Sequence, residues 1–357
     1  MSDSPVRVLH VANSLGLGGT EKVMQLFVAN LDKKRFLPAV YSPKDGERGP
    51  QVRSLGIDTF IGTDLLAVLD RFQPHIVHVH RAGWAEPELL KPLKLARTPV
   101  VVETNVFGRH DPSPSAAIID RSLFVSNFCL ERFASTNGID ARPPRYSALY
   151  NPVDTDFFES AARTDRDFSI PVAGRISRAD PGKWSRLALD ILPIIVRDIP
   201  DFKYHVLGGI PEAHDFVRDN NLSKNVIFHD PVTTDSEIAA FLDDVSVLAH
   251  ANDTGESFGL VIAEAMACGL PVVTHPCAGL KDNAQLELVD HGITGIVANN
   301  TEEYAVALKY IFSHPDEARD MGKAGRQKAA RLYRAQTVTR KLENIYTELL
   351  DLKGITI

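Results

Sequence analysis

Short apolar runs alternate with helix-spaced segments along the whole chain. Val6–Asn13 (VRVLHVAN) is apolar without helical spacing, and the glycine-rich LGLGG follows it. Then TEKVMQLFVANLDKK carries Val23, Leu26, Phe27 and Leu31 three to four residues apart. That order reads as strand, loop, helix. FLPAVYSP, IDTFIG, IVHVH (Ile76–His80), PVVVETN (Pro99–Asn105) and SLFVSN (Ser122–Asn127) are further short runs separated by helix-like stretches. The pattern restarts at FSIPVAGRIS and continues through WSRLALDILPIIVRD, FKYHVLGG, NVIFHDPV, EIAAFLDDV, SVLAHA, LVIAEAMACG, LPVVTH and TGIVA. From Glu302 onward the chain reads as mostly helical, closing on TVTRKLENIYTELLDL.

Strands buried on both faces and alternating with helices predict parallel α/β sheets, and the restart predicts two of them. The expected fold class is α/β: two Rossmann-like doubly wound domains facing a cleft at the carboxyl ends of their strands. The polar stretch Phe158–Asp167 (FESAARTDRD) has no apolar periodicity and marks the seam. It gives an N-terminal domain over 1–165 and a C-terminal domain over 166–336. A chain of 357 residues suits two such domains.

Charge narrows the partners. The net charge is -7, with 19 basic and 19 acidic residues in 1–165 and the whole deficit after that point. This excludes a general nucleic-acid binder and a basic membrane-docking face on the second half. Cys129, Cys268 and Cys277 lack metal-ligand spacing and read as reduced thiols. The opening MSDSPVRVLHVANS carries no secretory pattern, and no apolar run reaches the roughly 20 residues of a membrane helix. The expected location is cytoplasmic, with at most peripheral contact at the inner membrane face.

Two places carry candidate chemistry. Gly16–Gly19 lies between the first strand and the first helix, where free amides and the helix dipole suit an anion. A dinucleotide fingerprint needs another glycine at position 21, where Glu21 stands, and no P-loop GK[ST] is present. The turn is therefore open to two readings, an anion site or a tight bend. GESFGLVIAEAMACGLPVV (Gly255–Val273) places Glu256 and Glu264 eight positions apart. Ser257 is expected to cap a helix starting near Phe258 or Gly259, which Gly269 and Pro271 end. Both carboxylates then lie at the start of that helix, and each accepts paired hydrogen bonds of the kind sugar hydroxyls offer. The competing reading is a thin solvated stripe.

ESFGLVIAEAMACGLPVV resembles the Glu-x7-Glu signature of the retaining family-4 glycosyltransferases, the GT-B relatives of glycogen synthase and the phosphatidylinositol mannosyltransferases. HVANSLGLGGTEKVMQLFVANL, PHIVHVH, LYNPVDTDFF, VAGRIS…GKW, NVIFHDPV and LVDHGITGIVA resemble further segments of that family in the same order. The resemblance implies transfer of a hexose from a nucleoside diphosphate sugar to an acceptor hydroxyl with retention. It implies that Glu264 holds the ribose hydroxyls. Glu256 would hold the donor sugar, helped by backbone around Ser257, Phe258, Gly259 and Leu260. Arg175 and Lys183 would grip the diphosphate, with the amides of Gly18 and Gly19 closing on it. It also implies that a last helix over 337–357 crosses back to the first domain.

Two departures stand out. Arg175 and Lys183 are separated by ISRADPG and followed by Trp184, so Arg178 is a candidate to share the phosphate role. Asn105, in VVVETNVFG, stands where relatives present a histidine at the end of that strand, which leaves Asn105 and His80 as acceptor-side candidates. The loops Arg81–Glu88 and Phe107–Ser115 offer the acceptor no diagnostic chemistry. No metal and no cofactor is expected beyond the nucleotide-sugar co-substrate, and Asp154–Asp156 and Asp165–Asp167 read as solvated turns. The acceptor class spans glycan, lipid-linked and small-molecule hydroxyls, with polysaccharide biosynthesis the family-level setting. The competing functions are a GT-B nucleotide-sugar epimerase and a non-catalytic nucleotide-sugar-binding subunit.

Overall fold

Six of the apolar runs, with one strand that the pattern did not predict, align as one parallel sheet: β1 (Val6–Ala12), β2 (Phe36–Ser42), β3 (Asp58–Ile61), β4 (Ile76–Arg81), β5 (Val100–Asn105), β6 (Arg121–Phe124) and the unpredicted β7 (Tyr146–Ala148). Their order is β3-β2-β1-β4-β5-β6-β7, with His10 opposite His78 and Val79 opposite Glu103. Six more form a second parallel sheet: β8 (Val172–Ile176), β9 (Lys203–Leu207), β10 (Val226–His229), β11 (Val247–Ala249), β12 (Val272–Thr274) and β13 (Gly295–Val297), ordered β10-β9-β8-β11-β12-β13. Each sheet is doubly wound, reversing direction at β1/β4 and at β8/β11. Such reversals open a crevice at the carboxyl ends of the flanking strands.

The computed structural model describes residues 4–355. Two units emerge, one running to Val153 and resuming at Ala335, the other spanning Asp154–Arg334. The division precedes the seam expected at 165/166, for a physical reason. Helix Thr155–Ala161 buries Phe158 in the second unit, where the Phe158 carbonyl meets Cys268 Sγ at 3.5 Å. The polar stretch beyond it is pinned as well. Arg163 pairs with Asp243 at 2.9 Å, and buried Arg166 donates to the carbonyls of Leu242 and Val245 at the end of helix Asp235–Asp243. Absence of apolar periodicity here reflects guanidinium anchoring.

Val8, Leu9, Val11, Val77, Val79, Val101 and Val102 are fully buried in the first sheet, as parallel strands covered on both faces require. The last helix, Ala335–Leu352, belongs to this unit, two residues earlier than expected. The Ala335 amide donates to the Val153 carbonyl at 2.9 Å, and Arg121 grips Glu348 in a two-point contact at 2.9 and 2.8 Å. Its Tyr346 is wholly buried and lies 2.6 Å from His78 Nδ1. From there a polar chain crosses the core: Thr104 Oγ1 to His78 at 2.8 Å, Tyr346 to His10 at 3.4 Å, and His10 to His80 at 3.0 Å.

His80, an acceptor-side candidate on sequence, is therefore a core residue at 2% exposure. Among the described residues, His10, His78 and His80 are the only three histidine, cysteine or carboxylate side chains near enough to share an ion. The chain of contacts already accounts for five of their six ring nitrogens.

Burial lowers all three imidazoles, His80 to about 3, with mutual repulsion pulling His10 and His78 further down. The unfolded chain therefore binds protons that the folded one refuses. Stability should fall as pH drops below about 6.5 and keep falling toward pH 3, as thermal unfolding across that range would record. Replacing Tyr346 with Phe should cost about 1–3 kcal/mol at pH 7 by urea unfolding, because His78 then loses its partner in a dry core.

Candidate active site

The second sheet reverses between β8 and β11, and the residues leaving those two strands converge. After β8 come the exposed Arg178 and a short turn over Pro181–Lys183, where the Asp180 carboxylate accepts from the Gly182 amide. After β11 come His250, Asn252 and Glu256. Lys183 Nζ stands 3.5 Å from Glu256 Oε1. His250 Nε2 approaches the same oxygen at 3.3 Å, the Asn252 amide donates to it, and the Glu256 backbone N–H donates to Gln285 Oε1 at 3.0 Å. Thr274 Oγ1 lies 3.0 Å from His250 Nδ1, and the Asn252 amide stands 3.2 Å from Nε2. Burial alone would raise the Glu256 carboxyl. The His250 and Asn252 hydrogen bonds and the Lys183 ammonium outweigh it and bring the group down to about 2. Glu256 is a fixed negative charge, one-fifth of its side chain open to solvent.

The helix behind it runs Leu260–Ala267. Its N-cap is Gly259 at φ 103°, a left-handed conformation that explains the glycine ending the Ser-Phe-Gly turn. Ser257 precedes the cap and donates to Asp282 Oδ2 at 2.9 Å, which ties the loop after β12 to this turn. Gly259 brings no side-chain cap, so the first-turn amides, Leu260 included, keep their anion-accepting character. Phe258 packs edge-on against Tyr333 at 5.2 Å and is 2% exposed; only its backbone borders the turn. Glu264 is 2% exposed on a helix whose residues Ile262–Ala267 are all buried, which removes the solvated-stripe reading.

Arg175 requires a correction. It is 1% exposed, its guanidinium stacked 4.3 Å over the Trp184 ring. Its nitrogens donate to the carbonyls of Ala251 at 2.8 Å and Lys183 at 2.6 Å, and to Asn252 Oδ1 at 3.1 Å. Its Nε has no partner, but both terminal nitrogens are turned inward onto the protein's own oxygens. It holds Lys183 and Asn252 in place around Glu256, while Arg178 stands exposed and the Lys183 side chain is one-quarter open to solvent.

The first unit places its candidates differently. Gly18 is the N-cap of helix Gly19–Asn30 in an extended conformation. The Glu21 carboxylate, which accepts from Ser14 Oγ at 2.9 Å, sits so close that a Cβ on Gly18 would come within 2.2 Å of it. The Glu21 carboxylate thus stands beside Gly18 in this structure. Asn105 is 3% exposed and both amide atoms are engaged: Nδ2 donates to the Arg109 carbonyl at 2.8 Å and Oδ1 accepts from the Arg109 amide at 3.2 Å. It closes a loop rather than facing a ligand. The Asp-x-Asp tripeptides serve structure. Asp154 caps helix Thr155–Ala161, Asp156 pairs with Arg334 at 2.7 Å, and Asp167 accepts from Ser169 at 2.6 Å.

His250, Asn252 and Gln285 were missed on sequence. Polar residues directly after the apolar run SVLA were the available signal, since a doubly wound sheet presents ligands to strand ends.

Residues 168–314 match the family model described as "Glycosyl transferases group 1". N-acetyl-α-D-glucosaminyl L-malate synthase of Bacillus anthracis is 30% identical over 314 residues, 82% of this chain and 80% of that one. A GDP-mannose-dependent α-(1-6)-phosphatidylinositol monomannoside mannosyltransferase of Mycolicibacterium smegmatis is 31% identical over 224 residues, 58% of this chain. The chain spans only 56% of that relative's length, and 60% of its Mycobacterium tuberculosis counterpart. Among solved structures, a glycosyltransferase from Rickettsia africae covers 97% of this chain and 99% of its own, with TM-score 0.79 at 17% identity. Anabaena Alr3699/HepE, solved with UDP and glucose, covers 96% of this chain and 100% of its own, with TM-score 0.76 at 17% identity. The chain belongs to the group 1 glycosyl transferases, of the family-4 type, with the GT-B fold. Among the described residues no helix is long and apolar enough to cross a membrane.

Converting Lys183 to Met removes the ammonium nearest Glu256. The carboxyl should then titrate above its present value of about 2, as carbon-detected NMR of the glutamate side chains would show. An unmoved titration would dismiss the pairing.

Proposed function

We propose that this chain transfers a hexose from a nucleoside diphosphate sugar to an acceptor hydroxyl, with retention of configuration and without a metal ion. One observation carries the reading: an ionised Glu256 beside Lys183 Nζ at 3.5 Å, at the strand ends where the second sheet reverses. Family membership and the named activities of the relatives support it. The acceptor is a glycan, lipid-linked or small-molecule hydroxyl, and the setting is cytoplasmic, at the inner membrane face where the acceptor is lipid-linked.

The chemistry follows from charge. The bond from the anomeric carbon to the diphosphate oxygen breaks. A bond from that carbon to the acceptor oxygen forms on the same face, and the acceptor proton passes to the departing phosphate oxygen. Negative charge grows on the leaving group, so Lys183, Arg178 and the amides opening helix Leu260–Ala267 stabilise the transition state more than the ground state. Glu256 accepts from donor-sugar hydroxyls and Glu264 from the ribose pair. Arg175, sealed beneath them, is a positioning residue.

Incubating the chain with a panel of nucleoside diphosphate sugars should give one donor that raises the thermal midpoint and is turned over. Glu256→Ala should lower turnover at least ~100-fold while the variant stays folded. A donor bound tightly but never consumed would instead identify a binding subunit, and interconversion of the donor sugar an epimerase. Excess chelator should leave the rate unchanged; loss restored by magnesium or manganese would remove the metal-free scheme.

A further inference from the structure

The first sheet reverses at β1/β4, and there the chain exposes two large aromatic side chains. Trp84, in the loop after β4, is 52% exposed, and Phe107, in the loop after β5, is 38% exposed. Their ring centroids lie 6.0 Å apart with planes tilted by 33°. Exposed rings on loops are ordinarily mobile, but these have fixed backbones. The Trp84 carbonyl accepts from Arg81 Nη1, and the Phe107 carbonyl accepts from Arg132 Nη2 at 2.7 Å.

Arg81 is itself buried. It pairs with Glu103 at 2.7 Å, Asp111 at 3.0 Å and Glu86 at 3.5 Å, so one guanidinium ties both loops to the sheet. Glu86 in turn accepts from Asn13, which follows β1, at 3.2 Å. Gly83 has φ +99°, and a Cβ there would come within 2.3 Å of the Asn105 amide that closes the arch under Phe107. The two rings are held out from a rigid base.

We propose that Trp84 and Phe107 form a stacking shelf for a pyranose ring of the acceptor, which makes the acceptor a glycan or glycoside. The assignment rests on the glycosyl-transfer reading and supplies its acceptor class. A pyranose presents a face of partly positive C–H groups, and the negative face of an indole attracts it over a matching area. Hydroxyls at the ring edge need polar partners; Arg109 and His110 stand exposed on the loop that carries Phe107, and Glu88 in the first turn of the helix Pro87–Leu95 that follows the loop of Trp84. An anionic lipid surface calls for four to eight basic residues, roughly, in one cluster. Here Arg81 is buried, Lys91 is paired with Glu88, and Glu86 and Asp111 add negative charge. Two rings also fall well short of the roughly 800 Å² that a stable protein partner covers.

The chain has two tryptophans, and Trp184 is 6% exposed beside the donor site, so the part of the sugar-dependent emission that Trp84→Ala abolishes reports on Trp84. Titrating the full chain with methyl α-D-glucopyranoside, methyl α-D-mannopyranoside and maltotriose should give a saturable shift with at least one sugar, absent in Trp84→Ala. With the turned-over donor, Trp84→Ala and Phe107→Ala should each raise acceptor KM about ten-fold. Donor KM and donor-induced thermal stabilisation should stay unchanged, and Trp84→Phe should recover part of the loss. If the donor stabilises the chain but no sugar moves the Trp84 signal, or only phosphatidylinositol vesicles do, the shelf is overturned while glycosyl transfer stands. If no nucleoside diphosphate sugar stabilises the wild-type chain, the transfer reading itself falls.

Discussion

A carboxylate kept ionised against its own burial organises the second unit. Glu256 holds its charge because Lys183, His250 and Asn252 direct positive or donor groups at it. Lys183 and Asn252 are in turn placed by Arg175, which donates to the Lys183 carbonyl, the Asn252 side-chain oxygen and the Ala251 carbonyl between His250 and Asn252. Burying a guanidinium is costly unless its donors are used. The acceptors it uses belong to the turn carrying Lys183 and the loop carrying Asn252. Packing of the sheet and geometry of the site are thus one set of bonds, and a substitution at Arg175 reaches the site without touching a ligand.

The alternation of apolar runs and helix-spaced segments carries nearly the whole architecture, because strands buried on both faces are mostly apolar. Where it fails, the cause is local. β7 is three residues long and half-buried, too short for a pattern. The stretch 158–167 looks like a linker because its anchors are arginines rather than aliphatic residues. The Glu-x7-Glu segment is legible because glycine, carboxylate and helix signals coincide there. The direction of a strand-end side chain is not encoded in spacing, so Arg175 and His80 read as ligand contacts although the fold turns them inward. His250 and Asn252 follow a strand of only three residues, and Trp84 and Phe107 gain meaning from guanidinium contacts three and 25 residues away.

The two sheets use the same topological opening in chemically different ways. At β8/β11 the strand ends deliver charge: an ammonium, a carboxylate, an imidazole and amides. At β1/β4 the charged groups are neutralised below the surface, Arg81 against three carboxylates, and aromatic rings stand outside. Under the proposed transfer, the first surface suits a charged leaving group and the second an uncharged sugar ring.

The first unit is discontinuous in sequence, and that has a consequence during synthesis. Its core contains Tyr346 and its edge the Arg121–Glu348 contact, yet both partners are translated only after the entire second unit. Until they emerge, His78 Nδ1 and His10 Nε2 lack the hydroxyl that both meet in the finished fold. The portion made first must therefore wait, incompletely closed, for the portion made last, and a ribosome that stalls before Ala335 leaves a nascent chain with an open flank.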